Sequence, residues 1–131
     1  MPTAPKPAAD ADPHLPRLRI RLVFSDGLKV GPGKADLLDL IHRTGSISAA
    51  GREMGMSYKR AWSLVEEMNA AFRAPLVASS RGGAKGGGAT LTPEGRQVLD
   101  AFRTLEHKME QAGEQEIATI TALLSDMSHE K

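Results

Sequence analysis

The sequence predicts a mainly α-helical domain with small β-hairpins and a long C-terminal helix, on three observations. Apolar residues recur at three- and four-residue spacing over most of residues 34–124. An alternating run at 17–24, and short runs on either side of the glycine stretch 81–89, supply the strands. Ser, Thr, Pro and Gly stand where helices need starts and stops.

Arg17-Leu-Arg-Ile-Arg-Leu-Val-Phe24 puts Leu18, Ile20, Leu22 and Phe24 on one face, the period of a half-buried strand. Ser25-Asp26-Gly27 is turn chemistry, and Leu28-Lys29-Val30 returns as a second short strand. After Gly31-Pro32-Gly33, Leu37, Leu38, Leu40 and Ile41 take helical spacing within Lys34 to Thr44, and Gly45 is a natural stop. Ser46 caps a second helix running through Met54 and closing at Gly55. Ser57 caps a third, to about Phe72, with Pro75 ending it. Leu76 to Ser80 and Ala89 to Leu91 are expected strands. The segment between them, Arg81-Gly-Gly-Ala-Lys-Gly-Gly-Gly-Ala89, is too rich in glycine for a helix or a strand interior. Thr92-Pro93-Glu94 combines a capping hydroxyl, Pro at the first helical position and an acid at the positive helix end. The helix it starts carries Val98, Phe102, Leu105, Met109 and Ala112. Ala112-Gly113 breaks it, and Ile117, Ile120 and Leu124 resume the stripe.

The 131 residues suffice for one small domain with appendages. The absence of cysteine excludes disulfides, thiolate zinc sites and a cysteine nucleophile, and suits a reducing cytoplasm, the expected location. Residues 1–16, rich in Pro, Ala and Asp, have neither the basic start nor the apolar stretch of a secretory signal and are expected to be a disordered tail. No run approaches the ~18 apolar residues of a membrane span, so no membrane partner is expected. Net charge is +1, but its distribution is uneven: −1 over residues 1–16, +3 over 17–32, zero over 33–72, +3 over 73–96 and −4 over 97–131. The acidic C-terminus thus masks a basic body, as a nucleic-acid binder requires.

Residues 46–72 meet the demands of a helix-turn-helix. Gly55 occupies the turn, which favours left-handed geometry. Ala49, Ala50 and Gly51 are small where two helices must cross, and Ile47, Met54, Met56, Ala61, Leu64 and Val65 can pack the pair from inside. Ser57, Tyr58, Lys59 and Arg60 crowd the first turn of the third helix, the end that enters the major groove in this motif. Basic groups there oppose the helix macrodipole, so stability alone would not select them. DNA would: Arg and Lys donate to guanine O6 and N7 or to phosphate. The competing reading is solvated surface charge. Tyr58 is expected against sugar or phosphate, and Trp62 in packing. Ser46 and Ser48 cap first and can also donate to phosphate. The glycine segment fits no phosphate-binding loop: no window satisfies G-x-x-x-x-G-K-[ST] or G-x-G-x-x-G. As the tip of a two-stranded wing, it lets backbone approach DNA, with Arg81, Lys85 and Thr90 as contacts. A linker is the competing reading.

No catalytic set assembles, and the reading is of a non-enzyme without cofactor or metal. His14, His42, His107 and His129 are scattered, and Glu106, Glu110 and Glu114 look like a solvated helix face. The expected organisation is a tail at 1–16, a winged helix-turn-helix at 17–91, a dimerisation helix region at 92–124 and a tail at 125–131.

Gly45-Ser-Ile-Ser-Ala-Ala50, Gly55-Met-Ser-Tyr-Lys-Arg-Ala-Trp62, Glu67-Met-Asn69, Arg81-Gly-Gly-Ala-Lys-Gly-Gly-Gly88 and Leu91-Thr-Pro-Glu-Gly95 together resemble the N-terminal DNA-binding domain of the ModE family. That family comprises molybdate-responsive bacterial regulators with a LysR-like winged helix, and the resemblance covers roughly residues 18–124. It implies a homodimer on a palindromic operator in double-stranded DNA, with Ser57 to Arg60 as the recognition-helix head. It also implies that Val98, Phe102, Leu105, Met109, Ile117, Ile120 and Leu124 lie at the dimer interface. Full-length members add C-terminal molybdate-binding domains that are not expected within these residues, so molybdate dependence is not carried over. The leading expectation is a DNA-binding transcriptional regulator, tied to molybdenum-related genes. The second is an interaction partner that heterodimerises with a full-length relative or antagonises it. A third, an oxyanion-binding protein, rests on family association alone.

Overall fold

Side-chain capping starts the second, third and fourth helices. The computed structural model describes residues 16–80 and 88–125. Among these, in chain order, are strands β1 (Leu22–Val23) and β2 (Lys29–Val30), helices α1 (Pro32–Thr44), α2 (Ile47–Glu53) and α3 (Tyr58–Ala71), strands β3 (Val77–Ser80) and β4 (Gly88–Leu91), and helices α4 (Pro93–Ala112) and α5 (Glu114–Ala122). The chain divides into two compact units, one over Ile20–Phe102 and the other combining, among described residues, 16–19 with 103–125. The expected tails fall outside the described residues except for Pro16 and Ser125.

In the larger unit, Pro32 stands in the first turn of α1, where its missing N–H costs nothing, and Gly45 ends the helix at φ +73°. Ser46 and Ser57 cap α2 and α3: their hydroxyl oxygens accept from the N–H groups of Ala49 and Arg60, each at 3.0 Å. Leu37, Leu38 and Ile41 of α1, Val65 and Met68 of α3 and Leu76 are fully buried. Each such large side chain contributes about 1.5–3 kcal/mol by leaving water. The mainly α winged fold expected from the sequence is the one found.

The alternating run at 17–24 forms less strand than its pattern suggests. Only Leu22 and Val23 pair, antiparallel with Val30 and Lys29. The return strand stops at Val30, because α1 begins two residues on and Pro32 has no N–H for a ladder. Leu22 and Phe24 are consequently exposed, and it is Leu28 and Val30 of the returning limb that enter the core.

In the smaller unit, the Leu18 N–H donates to Glu110 Oε2 at 3.2 Å, and Arg103 pairs with Glu106 at 3.1 Å. Glu106 and Glu110 are therefore half-buried rather than members of a fully solvated face. The predicted break falls at Gly113, between α4 and α5.

Candidate nucleic-acid interface

The crossing of α2 and α3 depends on one missing methyl group. A Cβ on Gly51 would stand 2.8 Å from the Cβ of Ala61, so only glycine permits this approach. The chain then turns through Gly55 at φ +74°, and the Met56 N–H closes the turn on the Gly51 carbonyl at 3.0 Å. Ile47, Ala50, Ala61, Leu64 and Val65 are buried beneath the crossing, with Met54 and Met56 packed at its edge.

That arrangement aims the start of α3 outward. Ser57, Tyr58, Lys59 and Arg60 are all exposed. Neither cation forms an ion pair with a described residue, although both sit at the helix end whose dipole repels them. Glu66 and Glu67, two turns along, are also exposed, and Glu67 meets Lys34 at 3.7 Å. α3 thus carries cations in its first turn and acids two turns further along. Trp62 is half-buried against the core, in line with the expected packing role, and its indole N–H also donates to the Tyr58 hydroxyl. Ser46 and Ser48 are half-buried at the start of α2, with the Ser46 oxygen committed to its cap.

The β3–β4 hairpin is tied to the rest of the larger unit at the base of β3 and along β4. Its register pairs Val77 with Leu91, Ala78 with Thr90, Ser79 with Ala89 and Ser80 with Gly88. The Ala89 N–H donates to the Gly45 carbonyl at 2.9 Å, which ties β4 to the turn between α1 and α2. Asn69, near the end of α3, clamps the base of β3. Its Oδ1 accepts from Leu76 N–H (2.8 Å) and Val77 N–H (3.1 Å), and its Nδ2 donates to the Val77 carbonyl (3.0 Å). Thr92 closes the hairpin: its hydroxyl donates to the Pro75 carbonyl at 2.6 Å and accepts from Gly95 N–H at 3.0 Å. Gly95 has no room for a side chain, since a Cβ would lie 2.1 Å from the Leu76 carbonyl oxygen. Thr90 is exposed on the outer face opposite Ala78. Arg81 and Lys85 lie outside the described residues.

The expected dimer stripe divides. Phe102 is 3% exposed and Val98 packs against the same core, so both side chains are used within this chain's own core, together with Leu99, which the stripe omitted. Leu105 and Ile117 are half-buried, whereas Met109, Ile120 and Leu124 are 44%, 65% and 57% exposed. Sequence reasoning also missed the work of Asn69 and Gly95. A polar residue placed among apolar ones near a helix end was the available signal for the first. The second had none, because its tight contact is with a segment nineteen positions earlier. His42, expected as a surface group, is exposed and meets the Arg96 guanidinium through Nε2 at 2.9 Å.

A capped helix presenting cations that form no ion pair among the described residues, joined by a tight glycine turn to a crossing helix and accompanied by an anchored hairpin, defines a winged helix-turn-helix, a class of DNA-binding domain. Residues 34–96 match the family described as bacterial regulatory helix-turn-helix protein, lysR family, and this segment is a LysR-type helix-turn-helix domain. Among individual proteins, the chain is 49% identical over 80 residues to the molybdenum-pterin-binding protein MopB of Rhodobacter capsulatus, covering 61% of this chain and 30% of that protein. It is 40% identical over 84 residues to MopA of the same organism, covering 64% and 32%. It is 34% identical over 93 residues to the DNA-binding transcriptional dual regulator ModE of Escherichia coli K12, covering 71% and 36%. The chain spans about a third of the length of these curated relatives. Among the described residues, no helix is long and apolar enough to cross a membrane.

Proposed function

We propose that the protein is a homodimeric transcriptional regulator of the bacterial cytoplasm that binds a palindromic operator and controls genes of molybdenum use. The observation that carries the DNA-reading part is the head of α3: Tyr58, Lys59 and Arg60 are exposed there, Lys59 and Arg60 without ion-pair partners among the described residues, next to the close packing of Gly51 on Ala61. Residues 57–72 enter the major groove, Lys59 and Arg60 donate to base edges or phosphates, and Ser46 and Ser48 lie toward the adjacent backbone. Thr90, Arg81 and Lys85 of the wing meet neighbouring phosphates. The molybdenum connection rests on the names of the relatives, two called molybdenum-pterin-binding proteins and one called ModE.

Dimerisation is supported by the exposed Met109, Ile120, Leu123 and Leu124 on and after the last two helices, large apolar groups that a second copy would cover. In such a dimer the two recognition helices stand about 34–36 Å apart, one helical turn of DNA. The same apolar groups also favour a second reading, a heterodimer with a full-length relative.

Selection of genomic fragments by the purified protein, with and without molybdate, tests the proposal. Recovery of fragments with two inverted half-sites about 10–10.5 bp apart supports it. Recovery of no fragment by a protein that co-purifies with a full-length relative supports the heterodimer instead.

A further inference from the structure

Tyr58 and Trp62 stand one turn apart on α3, where residues i and i+4 share a face. Their rings meet edge to face, with centroids 6.2 Å apart and planes at 81°. Trp62 is anchored against the core, while Tyr58 is 56% exposed at the head of the helix. An indole nitrogen carries one hydrogen and accepts none, so in the hydrogen bond between them Trp62 donates and the Tyr58 oxygen accepts. The phenol proton finds no acceptor on Trp62, and the hydroxyl makes no other hydrogen bond to a described residue. Accepting one hydrogen bond also polarises a hydroxyl and strengthens it as a donor.

We propose that Trp62 is a positioning residue that presents Tyr58 to DNA as a hydrogen-bond donor. This rests on the DNA-reading function proposed above and assigns the polarity of one contact within it. With its oxygen occupied, Tyr58 selects an acceptor on the duplex and disfavours the exocyclic amines of adenine and cytosine. Phosphate oxygens and the base acceptors guanine O6 and N7, adenine N7 and thymine O4 share that chemistry. Trp62 itself, half-buried behind Tyr58, acts without touching DNA.

The test uses the fact that the chain has one Trp and one Tyr. Biosynthetic replacement of Trp62 by benzothienylalanine keeps the ring's shape and exchanges its N–H for sulfur, and Trp62→Phe is the conventional companion. Affinity is measured for the tightest duplex selected from a random library and for a scrambled duplex of equal composition. Loss of one hydrogen bond is expected to weaken binding about three- to tenfold for the benzothienylalanine protein and for Tyr58→Phe. The two changes together are expected to cost no more than the larger one alone. Equal losses on both duplexes identify phosphate as the acceptor, and a loss confined to the selected duplex identifies a base. In the free protein, Tyr58→Phe is expected to shift the emission of Trp62. Wild-type affinity in the benzothienylalanine protein, or losses that add in the combination, would overturn the pairing while leaving the DNA-reading function intact. Failure of the unaltered protein to select any duplex would instead overturn that function, and the inference with it.

Discussion

Gly51 and Ala61 meet where α2 crosses α3, so closely that a methyl group on Gly51 would lie 2.8 Å from that of Ala61. Both residues are buried, and Ala61 sits one turn after Tyr58 and next to Arg60. The contact therefore helps to set the direction in which the exposed head of α3 points. Side-chain volume in the middle of the motif controls groups that never touch it.

Gly51→Val is accordingly expected to destabilise the domain by about 2–3 kcal/mol, the upper part of the range for overpacking a filled core. Gly51→Ala adds less volume and gains about 1 kcal/mol of helix propensity, so its net cost is smaller. Pairing Gly51→Ala with Ala61→Gly restores the gap. Urea denaturation of the three proteins checks the order, and a Gly51→Val protein as stable as wild type would contradict the packing.

Asn69 holds the wing by satisfying three backbone groups at once. Asn69→Ala leaves those half-buried groups without their partner, at about 1–3 kcal/mol for each that water cannot reach. Asn69→Asp keeps an acceptor for Leu76 and Val77 N–H but loses the donor to the Val77 carbonyl, and should fall between wild type and alanine. Hydrogen exchange at Leu76 and Val77 is the direct readout, with faster exchange expected in both variants and fastest in Asn69→Ala.

Ser57 separates stability from DNA contact. Its oxygen caps α3 through the Arg60 N–H, and Ser57→Ala should cost about 1 kcal/mol. Ser57→Asp preserves a capping acceptor and suits the helix dipole, so thermal stability should be held or raised. A carboxylate at the proposed groove-facing end would nonetheless repel phosphate, and affinity for a selected duplex should drop at least tenfold, about 1.4 kcal/mol. Equal affinity in Ser57→Asp and wild type would remove the head of α3 from the interface.

Much of this was legible because the signals were local. Ser46, Ser57 and Thr92 each cap the helix they precede, and Gly45 and Gly55 both take positive φ. The alternation at 17–24 misled because a strand exists only as far as its partner does, and β2 ends after Val30. Periodicity along α4 likewise shows which residues are apolar but not what covers them. Phe102 turned inward into the chain's own core while Met109, two turns on, stayed exposed. The clamp at Asn69 spans only eight positions, but its use depends on how the chain reverses before β3, and the close packing of Gly95 on Leu76 joins segments nineteen positions apart.

The wing contact expected from the sequence can be tested through salt dependence. If Lys85 neutralises one phosphate, Lys85→Ala should lower the slope of log affinity against log salt by about one, on selected and scrambled duplexes alike. An unchanged slope would take Lys85 out of the phosphate contacts.

Base reading by the head of α3 is open to fluorescence anisotropy on the selected and scrambled duplexes. Lys59→Ala and Arg60→Ala should each weaken binding to the selected duplex by about 1–3 kcal/mol, and narrow its advantage over the scrambled one, if they reach base edges. Unchanged affinity for the selected duplex in both variants, across salt, would contradict the account.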